Sequence, residues 1–307
     1  MRAVRIHAFG GLEVIKIEQV PTPSPTSGEV RVRVQATSVN PVDYKIREGQ
    51  FLPEDKLPLT LGRDMAGIVD ECGADTSGAL PIGTHVFAMM PMDQGANAEF
   101  VTLRPELCAL SPTNIDVTAA ASLGLAALTA WQGLFDQGGV VKDQRVLIHG
   151  AAGGVGHLAV QFAIAIGATV FATCSGDDVA FVRELGASDV IDYKVQRFEE
   201  HAQDIDMVFD LIGGETQDRS WSVIRPGGIL VSTLSEPDPA KHNADHVRGA
   251  HYMAQPHGAQ LAEVARLIEN GLVKPFVDRV LPLDQAAEAH RALEHDHIRG
   301  KIVLTIA

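Results

Sequence analysis

The pattern of apolar and polar positions changes character once along the chain. Up to about residue 115 it alternates with a period near two. Val4-Arg5-Ile6, Val14-Ile15-Lys16-Ile17 and Val30-Arg31-Val32-Arg33-Val34 read as half-buried strands, and Gly67-Ile68-Val69 and Val86-Phe87-Ala88 continue the series. Between two of them, PTPSPTSGE at 21–29 is a proline-rich surface connection. From about residue 118 short apolar runs alternate with helical periodicity, which predicts a parallel sheet with strands at 145–149, 168–173, 189–191, 207–211 and 228–234. Helices are predicted over 177–185, started by Asp177 or Asp178 and stopped by Gly186, over 259–270 with Gly271 as the stop, and over 285–294. A last strand, Lys301 to Ile306, lies beyond the strand–helix block and is expected to return to the first region. The chain therefore reads as a β-rich domain, 1–117 and 260–307, interrupted by an α/β domain, 118–259.

The most informative stretch is RVLIHGAAGGVGHLAVQFAIAIG, 145–167. An apolar strand turns through Gly150, Ala151, Ala152, Gly153, Gly154 and Val155 into a helix with one apolar stripe, Val155, Leu158, Ala159, Phe162, Ala163 and Ile166. Small residues at such a turn let the backbone approach a pyrophosphate. The free N–H groups of the helix start then hold its charge. These residues are the expected dinucleotide cradle of the α/β region, whose strand–helix alternation predicts a doubly wound parallel sheet.

Composition narrows the function classes. The 307 residues carry 25 Lys+Arg against 39 Asp+Glu, a formal charge of −14, which disfavours nucleic acid or an anionic membrane as a partner. No apolar run reaches the ~18 residues of a membrane span. The N-terminus MRAVRIHAFGG reads as a first strand rather than a signal peptide, so a cytoplasmic location is the expectation. Three scattered cysteines, Cys72, Cys108 and Cys174, form neither a disulfide framework nor a CxxC motif.

Seven motifs in order, SVNPVDYKIREG at 38–49, LGRDMAGIV at 61–69, LTAWQGL at 128–134, HGAAGGVG at 149–156, ELGASDVIDY at 184–193, MVFDLIGG at 207–214 and RGKIVL at 299–304, span nearly the whole chain. With them the sequence resembles the medium-chain dehydrogenase/reductase superfamily, in its zinc-free quinone oxidoreductase and enone reductase branch. The resemblance implies a chaperonin-10-like fold for the β-rich domain and a Rossmann fold for the inserted one. It also implies a homodimer that joins Rossmann sheets edge to edge through the strand around Ile229 to Ser232.

In zinc-dependent relatives a cysteine stands at the position of Asn40, and a histidine follows the glycine equivalent to Gly62, where this chain has Arg63 and Asp64. A catalytic zinc needs about three Cys, His or carboxylate ligands and an open position, so no metal is expected. The histidines of the tail, His290, His295 and His297, are expected on a solvated helix end.

Without a metal, the acceptor must already be electron-poor. Quinones and α,β-unsaturated carbonyls meet that condition, whereas simple carbonyls need a Lewis acid or a positioned proton donor. Asn40, Tyr44 and Lys45 are the candidate catalytic residues. Asn40 and Lys45 would meet a substrate oxygen or the nicotinamide ribose, and Tyr44 would donate a proton or wall the pocket. The competing reading for Asn40 and Asp43 is turn chemistry around Pro41. Arg63 is either beside the same cleft or in a surface salt bridge.

For the cofactor, the resemblance places Thr129 near the nicotinamide, and Ser232 and Leu234 beside its carboxamide. The competing reading for Thr129 is a helix hydroxyl bonded to its own backbone, and Trp131 reads as core. At the end of the second Rossmann strand Ser175 stands where NAD-specific proteins carry an acidic ribose ligand, and Tyr193 matches a residue that contacts a 2′-phosphate. NADPH is the expected cofactor, although Asp177 and Asp178 occupy the place of the usual basic residue. The alternatives are a reductase of a specialised enoyl substrate, and an NADPH-binding structural or sensing protein with little turnover.

Overall fold

The computed structural model describes residues 1–76, 80–242 and 246–306. The chain forms two compact units, one of Met1–Leu128, Gln255–Gly271 and Pro275–Ala307, the other of Thr129–Ala254 and Leu272–Lys274.

Unit 1 begins with β1 (Arg2–Ile6) paired antiparallel to β2 (Lys16–Gln19). The long strand β3 (Val30–Val39) at first alternates buried residues with open ones, among them the exposed Arg33, and is buried throughout from Ala36 to Val39. It leads into α1 (Pro41–Arg47). The short β4 (Leu59–Thr60) pairs with β1. β5 (Asp64–Cys72) and β7 (Phe100–Leu103) both pair with β3, and β6 (His85–Met89) joins β5 to β8 (Cys108–Leu110). Val30, Val32, Val34, Met65, Val69, Val86 and Leu103 fill the core against this sheet. The helix α2 (Val117–Ala121) starts at Asp116, whose carboxylate accepts from Ala119 N–H at 2.8 Å. The following α3 (Gly124–Trp131) carries the chain out of unit 1 at Leu128. Unit 1 thus extends beyond residue 117, because α2 packs against β3 and β5.

Unit 2 is a six-stranded parallel sheet. Its strands are β9 (Arg145–His149), β10 (Thr169–Cys174), β11 (Asp189–Asp192), β12 (Ile205–Asp210), β13 (Ile224–Ser232) and β14 (Arg248–His251), in the order β11-β10-β9-β12-β13-β14. The helices α4 (Gly156–Ala165), α5 (Val179–Glu184) and α6 (Gly214–Ser220) lie between them in sequence. The order reverses between β9 and β12, which makes the carboxyl ends of those strands a topological switch point. This is the expected Rossmann sheet, with one correction. β13 is internal, paired with β12 on one side and β14 on the other, so the edge belongs to Arg248–His251 rather than to Ile229–Ser232. β14 escapes the apolar pattern because RGAH offers only one apolar side chain, and it joins the sheet through its backbone.

The chain then completes unit 1 with α7 (Gly258–Glu269), β15 (Val277–Pro282), α8 (Ala286–His295) and β16 (Lys301–Thr305). β16 lies between β15, parallel to it, and β3, antiparallel to it. β15 is hidden in the sequence because its inward positions include Arg279, which pairs with Asp296 at 3.0 Å, while Val280 faces out. The tail histidines also need correcting. His290 is fully buried on the inner face of α8 with Ala286 and Ala289, its Nδ1 3.4 Å from Arg47 Nη1, whereas His295 and His297 are exposed, as a solvated helix end requires. Burial, and then Arg47, push the His290 imidazole down to about 4.

Candidate active site

In unit 2 the glycines of the turn have separate reasons for being there. Gly150 adopts φ +71°, a left-handed conformation that favours glycine. At Gly156 a Cβ would lie 2.2 Å from Gly150 O and 2.7 Å from Ala151 Cα, so only glycine lets the helix start close on the strand end. At Gly153 a Cβ would meet only Gly150 O, at 3.5 Å, and would otherwise project into open space. Ala151 N–H donates to Thr173 O at 3.0 Å and Gly153 N–H to Gly150 O at 3.1 Å, which fixes the turn. Ala151 and Ala152 are buried, whereas Gly153, Gly154 and Val155 are partly open. These residues fit a dinucleotide pyrophosphate: a side chain at Gly153 would fill the cradle, and the helix start supplies N–H donors.

The strand ends beside the turn are held by buried polar side chains. His149 Nδ1 lies 2.9 Å from Thr173 Oγ1 and Nε2 2.9 Å from Ser220 Oγ. The Ser220 hydroxyl already donates to Thr216 O at 2.6 Å, so His149 donates from Nε2 and accepts at Nδ1 from Thr173. Burial pushes this imidazole down to about 4, which keeps it neutral, and neither nitrogen is left for a ligand. Asp210, at the end of β12, accepts from Ile212 N–H at 3.0 Å, Gly213 N–H at 2.8 Å, Gln217 Nε2 at 3.0 Å and Ser232 Oγ at 2.9 Å. It therefore positions Ser232, whose oxygen in turn accepts from Leu234 N–H at 3.2 Å. The aspartate in MVFDLIGG is the available signal for this role, but its partners are remote in sequence.

Ser175 follows β10 and is buried, with its hydroxyl donating to Asp178 Oδ2 at 2.9 Å. Its remaining capacity is therefore as an acceptor. Tyr193 is 60% exposed, and its N–H ties the end of β11 to Cys174 O at 3.2 Å. Leu234 is 43% exposed. Thr129 is buried, and its carbonyl accepts the Tyr252 hydroxyl. Trp131 makes edge contacts with Phe135 and Phe162, with ring centroids 4.7 and 5.8 Å away, as a core residue does.

In unit 1, Asn40 ends β3 and caps the start of α1, with Pro41 at the first helical position. Its N–H donates to Asp43 Oδ2 at 2.7 Å, the backward half of a capping box. Its amide is committed inside the protein: Nδ2 donates to Asp64 Oδ2 at 2.8 Å, and Oδ1 accepts from Lys301 Nζ. Asn40 is only 3% exposed. Asp64 also accepts from Ser38 Oγ at 2.5 Å, Leu125 N–H at 2.5 Å and Lys301 Nζ at 3.3 Å. Arg63 is buried rather than in a surface salt bridge, with Nε donating to Met90 O at 2.8 Å and Nη1 to Met92 Sδ at 3.1 Å. Tyr44 and Lys45, on the same helix, are half-buried. Burial, then Glu294 and Glu48, hold the Tyr44 phenol above its ordinary value. Asp64 and Lys301 are the residues that sequence reasoning passes over; the RGKIVL motif marks Lys301 without showing its partner.

A model of the alcohol dehydrogenase GroES-like domain matches residues 26–149, and one described as zinc-binding dehydrogenase matches 185–304. NAD(P)H oxidoreductase RTN4IP1 of Mus musculus, a mitochondrial protein, is 34% identical over 91% of this chain and 82% of its own. The chloroplastic NADPH-dependent alkenal/one oxidoreductase of Arabidopsis thaliana is 35% identical over 99% of this chain and 79% of its own. The chain is a medium-chain dehydrogenase/reductase of the quinone oxidoreductase and enone reductase type. A solved quinone oxidoreductase from Coxiella burnetii superposes with a TM-score of 0.92 at 33% identity, covering 100% of this chain and 99% of its own. The expected pair of folds, chaperonin-10-like and Rossmann, is thereby established, and the protein is an NAD(P)H-dependent oxidoreductase. One matching model carries zinc in its name. Arg63 is a permanent cation, Asn40 Oδ1 faces an ammonium, and no group of three or more His, Cys, Asp or Glu among the described residues could hold a metal. Among the described residues no helix is long and apolar enough to cross a membrane. The two relatives are named as mitochondrial and chloroplastic proteins, so they give no support to a cytoplasmic site.

Proposed function

We propose that this protein catalyses NADPH-dependent, zinc-independent reduction of quinones or α,β-unsaturated carbonyls. The observation that carries this reading is the side-chain set at the start of α1 and of β5. Arg63 and Lys301 are cations, the Asn40 amide is bonded at both ends, and Asp64 already accepts from Ser38, Asn40, Leu125 and Lys301, so these groups offer a Lewis acid no open set of ligands. Conjugated acceptors fit such a site because their own π-system disperses the incoming charge.

Gly150, Ala151, Ala152, Gly153, Gly154 and Val155 would hold the pyrophosphate, Ser175 and Tyr193 the adenosine ribose with its 2′-phosphate, and Thr129, Ser232 and Leu234 the nicotinamide end. When bound, NADPH supplies the hydride. Reduction then requires one proton and a counter-charge for the acceptor oxygen. Lys45, which has no ion-pair partner among the described residues, offers an ammonium for that oxygen. Tyr44, on the same helix and with its phenol held above its ordinary value, would give the proton, with solvent as the alternative source. Asn40 acts by holding α1 in register with Asp64 and Lys301 rather than by touching substrate. We further infer a homodimer that pairs the sheets of unit 2 through β14, the edge strand.

The test is an acceptor screen monitored by NADPH absorbance, with and without chelator, together with metal analysis. Oxidation of NADPH by quinones or enones, undiminished in chelator, is expected. One zinc per chain with chelator-sensitive turnover, or a preference for simple alcohols with the oxidised cofactor, would overturn the reading. Tight NADPH binding with no turnover on any conjugated acceptor would point to the binding-protein alternative.

A further inference from the structure

The buried network at the start of α1 contains a group that the proposed reaction leaves unused. Asp43 and Asp64 are buried together with two cations, Arg63 and Lys301. Asp64 is saturated by Ser38, Asn40, Leu125 and Lys301. Asp43 is not. Its Oδ2 takes the Asn40 N–H, but its Oδ1 has no hydrogen-bond partner while being sealed from solvent. A carboxylate oxygen left bare inside a protein is costly as a charge and much less so as a neutral acid.

We propose that Asp43 is the removable charge of this cluster, taking up and releasing a proton against the Asp64–Lys301 ion pair and the guanidinium of Arg63. The cluster then switches between net positive and neutral. The switch sets how strongly this end of α1, which also carries Tyr44 and Lys45, attracts the negative charge that develops on an acceptor oxygen. That second half rests on the reading that the protein reduces conjugated acceptors. Asp43 transfers nothing to substrate in this scheme. It is a positioning residue that acts through its field.

The surroundings point the same way. Burial, and then the like charge of Asp64, push the Asp43 carboxyl up to about 7, with the Asn40 N–H, Lys301 and Arg63 only partly opposing. The charged groups that act on it are Asp64 on β5, Arg63 in the turn before β5, and Lys301 on β16. The sign of the linkage follows. A carboxyl raised above its unfolded value of about 4 binds more protons in the folded state between the two values. The stability it contributes is complete at low pH and is lost as pH rises through the folded value.

The test is Asp43→Asn, which keeps an oxygen for the Asn40 N–H and mimics the protonated acid. Three quantities are measured against pH for the wild type and the variant: Tm, NADPH affinity, and kcat/KM for an acceptor. The wild-type Tm is expected to fall relative to the variant from about pH 4 to about pH 7 and then run parallel to it. Wild-type kcat/KM is expected to fall on the order of tenfold above neutrality, one elementary charge acting through the protein, while the variant stays flat. NADPH affinity should match throughout. Parallel Tm curves, or parallel rate profiles, would overturn the proposal. A wild type that binds NADPH but reduces no acceptor refutes the reading of function instead, and the Tm comparison still judges the proton on Asp43. If the variant fails to fold, pH-difference infrared spectra of the wild type decide. A protonated-carboxyl band lost near neutrality supports the switch, and its absence overturns it.

Discussion

The glycine turn of unit 2 and the start of α1 in unit 1 are both suited to negative charge, by opposite constructions. The turn works by what is missing. Gly153 leaves open space where a side chain would stand, and the helix start offers its N–H groups. The α1 end works by what is present: two carboxylates, an amide, a guanidinium and an ammonium, nearly all bonded to one another. The first is a receptor whose partner comes from outside. The second is a closed circuit whose partners are already inside. A substitution at an open position of the turn should therefore be felt as lost binding, and one that strips a partner from the network as lost stability.

The largest effect expected is in the network. Lys301→Met leaves Asp64 buried without its cation, and a broken buried pair typically costs about 3–5 kcal/mol. A large fall in Tm, at unchanged NADPH affinity in whatever fraction remains folded, is the expected result. A variant as stable as wild type would show that Ser38, Asn40 and Leu125 suffice for Asp64.

At the turn, Gly153→Val and Gly154→Val should weaken NADPH binding on the order of a hundredfold, about 2.7 kcal/mol, while Tm changes little. By contrast, Gly156→Ala should lower Tm as well, since its Cβ would strike Gly150 O. Titration by cofactor fluorescence beside thermal melts separates the two. Equal Tm losses for Gly153→Val and Gly156→Ala would erase the distinction between an open and a packed glycine.

Between these extremes lies Lys45, half-buried on α1 but outside the closed circuit. Lys45→Met should lower acceptor turnover on the order of tenfold to a hundredfold with NADPH still bound, as loss of one preorganised donor does. A fall in NADPH affinity instead, at unchanged turnover, would reassign the lysine to the ribose. The smallest effect is at Ser175. Since its hydroxyl donates to Asp178, Ser175→Ala should change NADPH affinity less than about tenfold. Ser175→Asp should reverse the order of NADPH and NADH by setting a carboxylate against the 2′-phosphate. An unaltered order in that variant would place the 2′-phosphate elsewhere.

How much of this is legible in the sequence depends on the range of the interaction. The turn from Gly150 to Gly156 is local, and its glycines, flanking strand and helical stripe all lie within one short window. The strand Arg145–His149 and the helix Gly258–Glu269 are legible to within about a residue, because each has its own periodicity and stop signal. The network is the reverse case. Asn40 stands out in the sequence, as a partner for a substrate oxygen or the ribose or as turn chemistry around Pro41, but nothing near it announces that Asp64 and Lys301 take both ends of its amide. β14 and β15 are lost for related reasons: one joins through backbone alone, and the other turns an arginine inward to meet Asp296. His290 reads as a polar tail residue, and only the inner face of α8 shows it to be buried.

The placement of β16 has a consequence for how the chain is made. Its residues are synthesised after every other strand of either unit, yet the strand is not an edge but an inner member of the sheet, between β15 and β3. Lys301 reaches an aspartate 237 positions earlier. Until the ribosome has added this strand, the first unit lacks an interior member and the cation for Asp64, so its sheet has a gap with backbone donors and acceptors exposed on both sides. Unit 2, which is contiguous in sequence apart from three residues, is free to fold before that gap is closed. A chain cut short just before Lys301 would thus carry a formed dinucleotide fold beside an open, adhesive sheet, the kind of species that chaperones bind and proteases remove.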